Sequence, residues 1–536
     1  MDYVSKAIGF IKEYRRYIII AIFAVFYISG VCSINSYGVN YDIRSEENIL
    51  MTNLKDYAKD FLPEKAQQIS AFRNLPDIQN YKERDHGKAA FYPLGVFKLT
   101  FSPALYNYYF LYSLYTFTIN FAGLIFLYLL AKLIFRRRVF ALITAAFYTL
   151  CPRIYADFFY NDKDMIFCSF VIITAYFALC FILKENHKYL YAVLTGVFAA
   201  FACNTRVIGL FLPFLILSYY IYTIFRDKKA NNKEVYLPVI SALAAFAAVF
   251  IIITPATWYG IIEYFKYTLS SSADFTRWNG TVYYLNKFYP ASDGLPWHYL
   301  PVMMLCTISP FVTLGAAAGI GVLIYRLAKK KTDKHEKLLT IFIISSFVPL
   351  LFAIIGGSRV YNGWRHFYFV YPAICLLAVY AVIQFLNKKK DITKYVTAAA
   401  VAFSLLITVT SAPHGYAYYN FASKSFEGDY WNISARECLE QLLLTTDGQI
   451  KITYSDKHSA AGVENSAMYL GPKYRDRITV TENPQDADYI FVNPTYYDIA
   501  RFCDEIFTDV SNPEKCAEVK LGNRTLTAVY SLKNVK

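Results

Sequence analysis

The chain has 536 residues, of which 56% are hydrophobic and 18% charged, and its mean hydropathy of +0.29 exceeds what a water-exposed surface of this size accommodates. A soluble globular protein is therefore excluded. The formal net charge of +14 does not point to nucleic acid, because Lys and Arg fall in short clusters between apolar runs rather than along one face, and no nucleic-acid partner is expected.

The first apolar run, residues 17–31, follows Lys6, Lys12, Arg15 and Arg16, so it reads as a span that starts in the cytoplasm and leaves it. A cleaved leader is the competing reading, but Val31 is bulky where a lipoprotein-type cleavage before Cys32 wants a small residue. Residues 35–102 are polar. A long apolar stretch over 105–135 then stops at Arg136, Arg137 and Arg138, and later basic stops fall at 184–188, 226–233, 326–337 and 388–394. Two apolar spans fit between each consecutive pair, short ones such as 139–151 included. The alternation predicts an α-helical polytopic membrane protein with about eleven transmembrane helices, a cytoplasmic N-terminus in the plasma membrane, and everything after Ser411 outside the cytoplasm.

Beyond Ser411 the apolar runs shorten to strand length at 449–454, 477–481 and 488–492, with an amphipathic helix over 434–444. Two β-prone runs around Gly522-Asn523 read as a hairpin within 517–532. The expected organisation is a transmembrane part, 1–411, and a small extracytoplasmic α/β domain, 412–536. The aromatic residues, 49 Tyr and 44 Phe among them, suit both membrane-interface belts and sugar-stacking surfaces. Cys151, Cys168, Cys180, Cys203, Cys306 and Cys375 lie in or beside apolar runs without metal-ligand spacing and read as small core residues. Cys503 and Cys516 lie in the polar C-terminal region, where an oxidising compartment permits a disulfide.

With this topology the polar residues of interest share the outer side. The first outer loop holds Asp42, Glu46 and Glu47 just after the first span, and Asp85 and His86 before the second; carboxylates at a membrane boundary can act as general bases when burial and neighbours tune them. The competing reading is a solvated, charge-bearing loop. The next outer segment supplies Arg153, Asn161, Asp162, Lys163 and Asp164, and later turns supply Arg206, then Arg359, Tyr361, Arg365 and His366. Several cations at one depth suit a lipid phosphate or diphosphate, although long basic side chains also snorkel to headgroups.

The first-loop acids, the run from Pro152-Arg153 to Asn161-Asp162-Lys163-Asp164, the Leu295-Pro296-Trp297-His298-Tyr299-Leu300-Pro301 segment, Gly363-Trp364-Arg365-His366 through Tyr371-Pro372, and Asp429-Tyr430-Trp431 together resemble bacterial GT-C glycosyltransferases of the protein mannosyltransferase and aminoarabinose transferase superfamily. The resemblance covers nearly the whole chain. It implies a GT-C-like membrane glycosyltransferase, hexosyl or pentosyl, that moves a sugar from a polyprenyl-phosphate donor to a glycan, lipid or protein acceptor outside the cytoplasm. It further implies inverting transfer with a first-loop Asp as base, and Asp42 matches that position. The superfamily commonly has an Asp-Glu pair there, whereas Ile43 follows Asp42, so Glu46, Glu47 and Asp85 remain candidates for the second acid.

For the donor phosphate the residues to consider are Arg153, Lys163, Arg206, Arg365 and His366. No metal is compelled by spacing, but first-loop acids could hold a divalent cation by oxygen ligation. The alternative reading is a polytopic transporter or flippase of a lipid-linked glycan, which ordinarily shows mid-membrane ionisable residues and internal repeats, and neither is evident. A receptor anchored by its spans needs far fewer of them.

Overall fold

The computed structural model describes residues 2–212, 233–273, 277–495 and 514–532. Among these, eight helices are long and apolar enough to cross a membrane. They include α1 (Asp2–Ser33), α3 (Leu105–Phe135), α6 (Asp164–Leu183), α8 (Lys233–Ile253), α9 (Pro310–Ala328), α10 (Lys334–Ile355), α11 (Tyr371–Leu386) and α12 (Lys390–Ser411). Their outward faces are apolar and exposed, as at Ile20, Ile28, Leu314, Phe352 and Val409. Water does not tolerate so continuous an apolar surface, whereas lipid does, and the chain is a multi-pass membrane protein.

The count is lower than the eleven expected from sequence. The helix α4 (Arg138–Thr149), predicted as a short span, has 12 residues and ends before Pro152, which opens the separate helix α5 (Pro152–Tyr160). The 18-residue helix α7 (Lys188–Thr205), which opens on a lysine and closes on Asn204 and Thr205, is less apolar than these eight. A further span expected ahead of the basic stop at Arg226 lies outside the described residues, as do Arg226 to Lys229 and Cys503. The first helix continues unbroken through Cys32 to Ser33.

The segment after the first helix is structured rather than a solvated loop. Its helix α2 (Ile43–Phe61) buries Ile43 and Glu46 in its first turn and then every residue from Ile49 to Leu54. Glu46, three residues after the buried Ile43, is thereby turned inward, and Asp42 is left at the open start of the helix. A hairpin that the sequence pattern did not anticipate, β1 (Thr281–Tyr284) with β2 (Lys287–Pro290), stands between α8 and α9, its turn formed by Leu285 and Asn286 at positive φ.

The C-terminal region is an α/β layer. The sheet has strand order β4-β3-β5-β7-β6, formed by β3 (Ile450–Tyr454), β4 (Ile478–Val480), β5 (Tyr489–Val492), β6 (Lys515–Leu521) and β7 (Arg524–Ser531). The strand β3 is parallel to β4 and β5, while β7 runs antiparallel to β5 and β6, with Gly522 at positive φ in the predicted hairpin turn. Helix α13 (Ser434–Thr445) covers the β6–β7 hairpin, and helix α14 (Lys457–Met468), not foreseen from sequence, follows β3.

This layer packs directly on the segment that leads into α2. Gly38 passes so close to Ile433 that a Cβ would collide with its carbonyl oxygen, so only glycine allows the approach. Nearby, the Tyr41 N–H donates to the Trp431 carbonyl at 2.8 Å, and the Asn465 amide donates to the Asn40 and Tyr41 carbonyls at 3.3 and 3.2 Å. The start of α2 is thus held by residues distant in sequence, Asn465 lying 425 positions from Asn40.

Candidate active site

Asp42 precedes α2, and its carboxylate makes no hydrogen bond to the helix it precedes. Its nearest cation is Arg365, with Nη1 at 3.8 Å from Oδ2, and its side chain is 38% exposed. It opens into a cavity of about 410 Å³ walled by Trp278, Tyr361, Tyr430 and Trp431. Enclosure by protein pushes the Asp42 carboxyl above the ordinary Asp value, against the opposing pull of Arg365.

The other acids are engaged. Glu46 lies between two ammonium groups, its Oε1 2.9 Å from Lys163 Nζ and its Oε2 2.9 Å from Lys88 Nζ. Burial opposes its charge, but Lys163 and Lys88 outweigh it and hold Glu46 far below the usual carboxylate range. Lys88 also reaches Asp162 Oδ2 at 2.5 Å, and Tyr112 donates to the same oxygen. Asp164, fully buried, pairs with Arg206 and lies 3.5 Å from Arg365 Nη1. Asp85 accepts the Arg277 fork at 2.9 and 2.7 Å. Glu47 points to Lys98, outside both this cavity and the one described next.

A second cavity of about 200 Å³ lies on the other side of Tyr361, which borders both, and Lys163, Arg206, Arg359 and His366 line it. Two turns distant in sequence meet here. Asn204 accepts from the Ala89 N–H at 3.1 Å while its carbonyl accepts from the Gly87 N–H at 2.9 Å, fixing His86 and Lys88 beside Arg206. Asn161 has a structural position: its Oδ1 accepts from the Asp164 N–H at 2.8 Å at the start of α6, and its amide donates to Asp157 at 2.9 Å. It thereby sets Asp162, Lys163 and Asp164 at the head of a span.

Of the five residues expected near a donor phosphate, Lys163, Arg206 and His366 come together at the smaller cavity, and Arg365 lines the larger one beside Asp42. Arg153 lies elsewhere. It is buried under Tyr419, whose ring centroid is 4.7 Å from Cζ, with Nη1 3.5 Å from the Tyr430 hydroxyl. The motif residues around it are largely anchors: Tyr299 accepts from the Gly363 N–H at 2.8 Å, Trp364 donates to Thr307 at 2.8 Å, and Tyr371 donates to the Phe147 carbonyl at 2.7 Å. Asp429 accepts from the N–H groups of Ile433 and Ser434 at 3.1 and 2.7 Å, which caps α13 and presents Tyr430 and Trp431 to the cavity.

Glu83, Asp85 and His86 bring one ligand atom each within 4.8 Å, which is close enough for a cation. The oxygens are already served by protein charges, however. Arg277 forks Asp85 and lies 3.2 Å from Glu83, and His86 Nδ1 is 2.9 Å from Glu83 and 3.1 Å from Lys163 Nζ. A divalent ion would have to displace the guanidinium, so this set does not fit a resident metal. Lys88 and Arg277, central to this network, were not singled out by sequence. Lys88 stands two residues beyond His86, but Arg277 lies almost two hundred residues from its partner, and no local pattern links them.

Residues 110–252 match the family model for dolichyl-phosphate-mannose-protein mannosyltransferase. That segment holds Arg153, the Asn161 to Asp164 run and Arg206, so the resemblance read from these motifs holds there. Among solved structures, the chain is similar to ArnT from Cupriavidus metallidurans bound to undecaprenyl phosphate, at 11% identity and a TM-score of 0.47, covering 96% of this chain and 97% of that one. It is also similar to the Archaeoglobus fulgidus oligosaccharyltransferase AglB in complex with an inhibitory peptide and a dolichol-phosphate, at 12% identity and a TM-score of 0.46, covering 90% and 70%. Both scores fall below 0.5, so the site geometry and residues 110–252 carry the weight. No curated protein sequence matches the chain.

Proposed function

We propose that the protein is a membrane glycosyltransferase that moves a sugar from a polyprenyl-phosphate donor to an acceptor on the non-cytoplasmic side, with Asp42 as the base. The observation that carries this reading is the contrast among the acids. Asp42 is 38% exposed and bounded by one cation at 3.8 Å, whereas Glu46, Asp85, Asp162 and Asp164 are at most 6% exposed and held by closer cations. A general base needs a free oxygen within reach of the acceptor proton, and among the described acids of this cluster Asp42 alone offers one to a cavity.

In this reading the donor phosphate lies at the smaller cavity, against Lys163 and Arg206, with His366 on its wall. Asp42 takes the proton from the acceptor hydroxyl or amine as that atom attacks the anomeric carbon. The bond to the phosphate oxygen breaks on the opposite face, and the departing polyprenyl phosphate keeps the bonding pair, its charge met by the cations. Glu46, Asp162 and Asp164 position the cations rather than react. The match over residues 110–252 supports the lipid-phosphate donor, and the apolar helices supply the surface along which its tail would lie. The sugar is either a hexose or a pentose.

The test is to incubate the purified protein with a panel of polyprenyl-phosphate sugars and candidate acceptors and to analyse the lipids by mass spectrometry. Acceptor-dependent release of polyprenyl phosphate from at least one donor is expected. Movement of intact lipid-linked sugar across proteoliposomes without release would favour the transporter alternative.

A further inference from the structure

The larger cavity is completed by the C-terminal layer, which contributes Tyr430, Trp431, Lys457 and His458 to its wall. Its volume of about 410 Å³ falls in the range of small-molecule pockets. One surface suits a sugar face: the half-buried Trp278 lies parallel to Tyr361 with ring centroids 4.2 Å apart and keeps its other face unstacked among the described rings, whereas Trp431 is buried under the Arg365 guanidinium at 4.4 Å.

The charged groups on the wall are unequal. Asp42 is the sole carboxylate there among the described residues, against Arg277, Arg365 and Lys457. Arg277 is spent on Asp85, and Arg365 is shared between Asp42 and Asp164. Lys457 is different, since it makes no ion pair among the described residues. The adjacent Asp456 does not neutralise it, because that carboxylate accepts from the N–H groups of His458 and Ser459 and from the hydroxyls of Ser455 and Ser459, at 2.7 to 3.1 Å. An exposed ammonium on a cavity wall with aromatic neighbours is a receptor for an anion attached to a sugar.

We propose that Lys457 makes the C-terminal layer a specificity element, selecting an acceptor saccharide that carries a phosphate or carboxylate group. This rests on the glycosyltransferase reading, in which the donor phosphate occupies the smaller cavity and the acceptor approaches Asp42 from the larger one. The ring of the acceptor lies against the aromatic wall, and its anion meets Nζ of Lys457. Asp42 on the same wall repels a second negative charge placed near the reacting hydroxyl, so the anion is held away from the nucleophile.

Trp278 and Trp431 report on the cavity through their fluorescence, so the full-length purified protein can be titrated with mannose, mannose 6-phosphate, glucuronate and inorganic phosphate. The charged sugars should bind at least about tenfold more tightly than mannose, as one charge-assisted contact implies. Lys457→Ala should abolish that preference and Lys457→Arg should retain most of it; whichever charged sugar binds better identifies the anion as phosphate or carboxylate. The proposal is overturned if mannose binds as well as the charged sugars, if none of them binds, or if Lys457→Ala keeps the preference. Inorganic phosphate binding as tightly as the phosphosugar would overturn the saccharide assignment. Weakened polyprenyl-phosphate binding in Lys457→Ala would overturn the acceptor assignment in favour of the donor. None of these readings needs transfer, so failure of the glycosyltransferase reading shows separately, as absence of polyprenyl phosphate release by the unaltered protein.

Discussion

At the scale of single residues, the acids of the site differ in how each is paired, and the proposed reading assigns the reactive role to the least engaged of them, Asp42. Arg365 pulls the Asp42 pKa down while enclosure pushes it up, so removing the guanidinium raises it further. A base works only when ionised, and the acid limb of kcat/KM in Arg365→Gln should therefore move to higher pH than in the unaltered protein; an unmoved limb would detach Asp42 from the profile. Arg206→Ala should weaken donor binding by about 1.5–3 kcal/mol, the range of a charge-assisted hydrogen bond, as read by titration with polyprenyl phosphate. Glu427 makes a different kind of prediction. Burial pushes it up to about 8 in spite of Arg153, Arg365 and Arg524 around it. The folded state then holds a proton that the unfolded state releases near about 4.3, so stability falls as pH rises between those values. Melting temperature in detergent should decline over that window, and Glu427→Gln should flatten the decline.

At the scale of elements, the segment from Gly38 to Glu46 shows which features are local enough to be written in sequence. The acids Asp42, Glu46 and Glu47 are legible as a cluster just after the first span, but the helix that turns Glu46 inward is not, because its buried residues include Glu46, Thr52 and Asn53 and no apolar stripe marks it. The β3, β4 and β5 runs and the β6–β7 hairpin are legible, because alternation and a Gly-Asn turn are local signals. The pairing of Arg277 with Asp85, and the clasp of Asn465 on Asn40 and Tyr41, are not legible, since contacts across long separations leave no periodicity. The short helix α4 misleads the span count for a related reason: apolar composition alone does not reveal that Pro152 ends one helix and starts another. The clasp has a consequence that activity can read. Gly38→Ala forces the outer segment away from Ile433, so turnover should fall sharply with donor binding less affected, because the smaller cavity has no wall in common with that contact. Equal losses in both would mean that the segment supports the whole outer face.

At the scale of the molecule, an apolar helical bundle is joined to residues 34–102, on which the C-terminal layer packs, and the proposed reading puts this face outside the cytoplasm and the basic clusters inside it. That arrangement requires the two faces to be on opposite sides of the bilayer. Reporter fusions at Arg137 and Ser455 should report the cytoplasm and the exterior respectively, in keeping with the basic clusters between spans. Identical reports from both positions would undo the proposed topology. The central claim is that Asp42 takes the acceptor proton, and the most direct measurement is turnover and donor affinity together on Asp42→Asn. The amide keeps the size and much of the hydrogen bonding of the carboxylate but cannot accept the proton, so turnover should fall by about 10²–10⁴-fold with donor affinity and melting temperature close to those of the unaltered protein. Near-normal turnover in this variant would contradict the account.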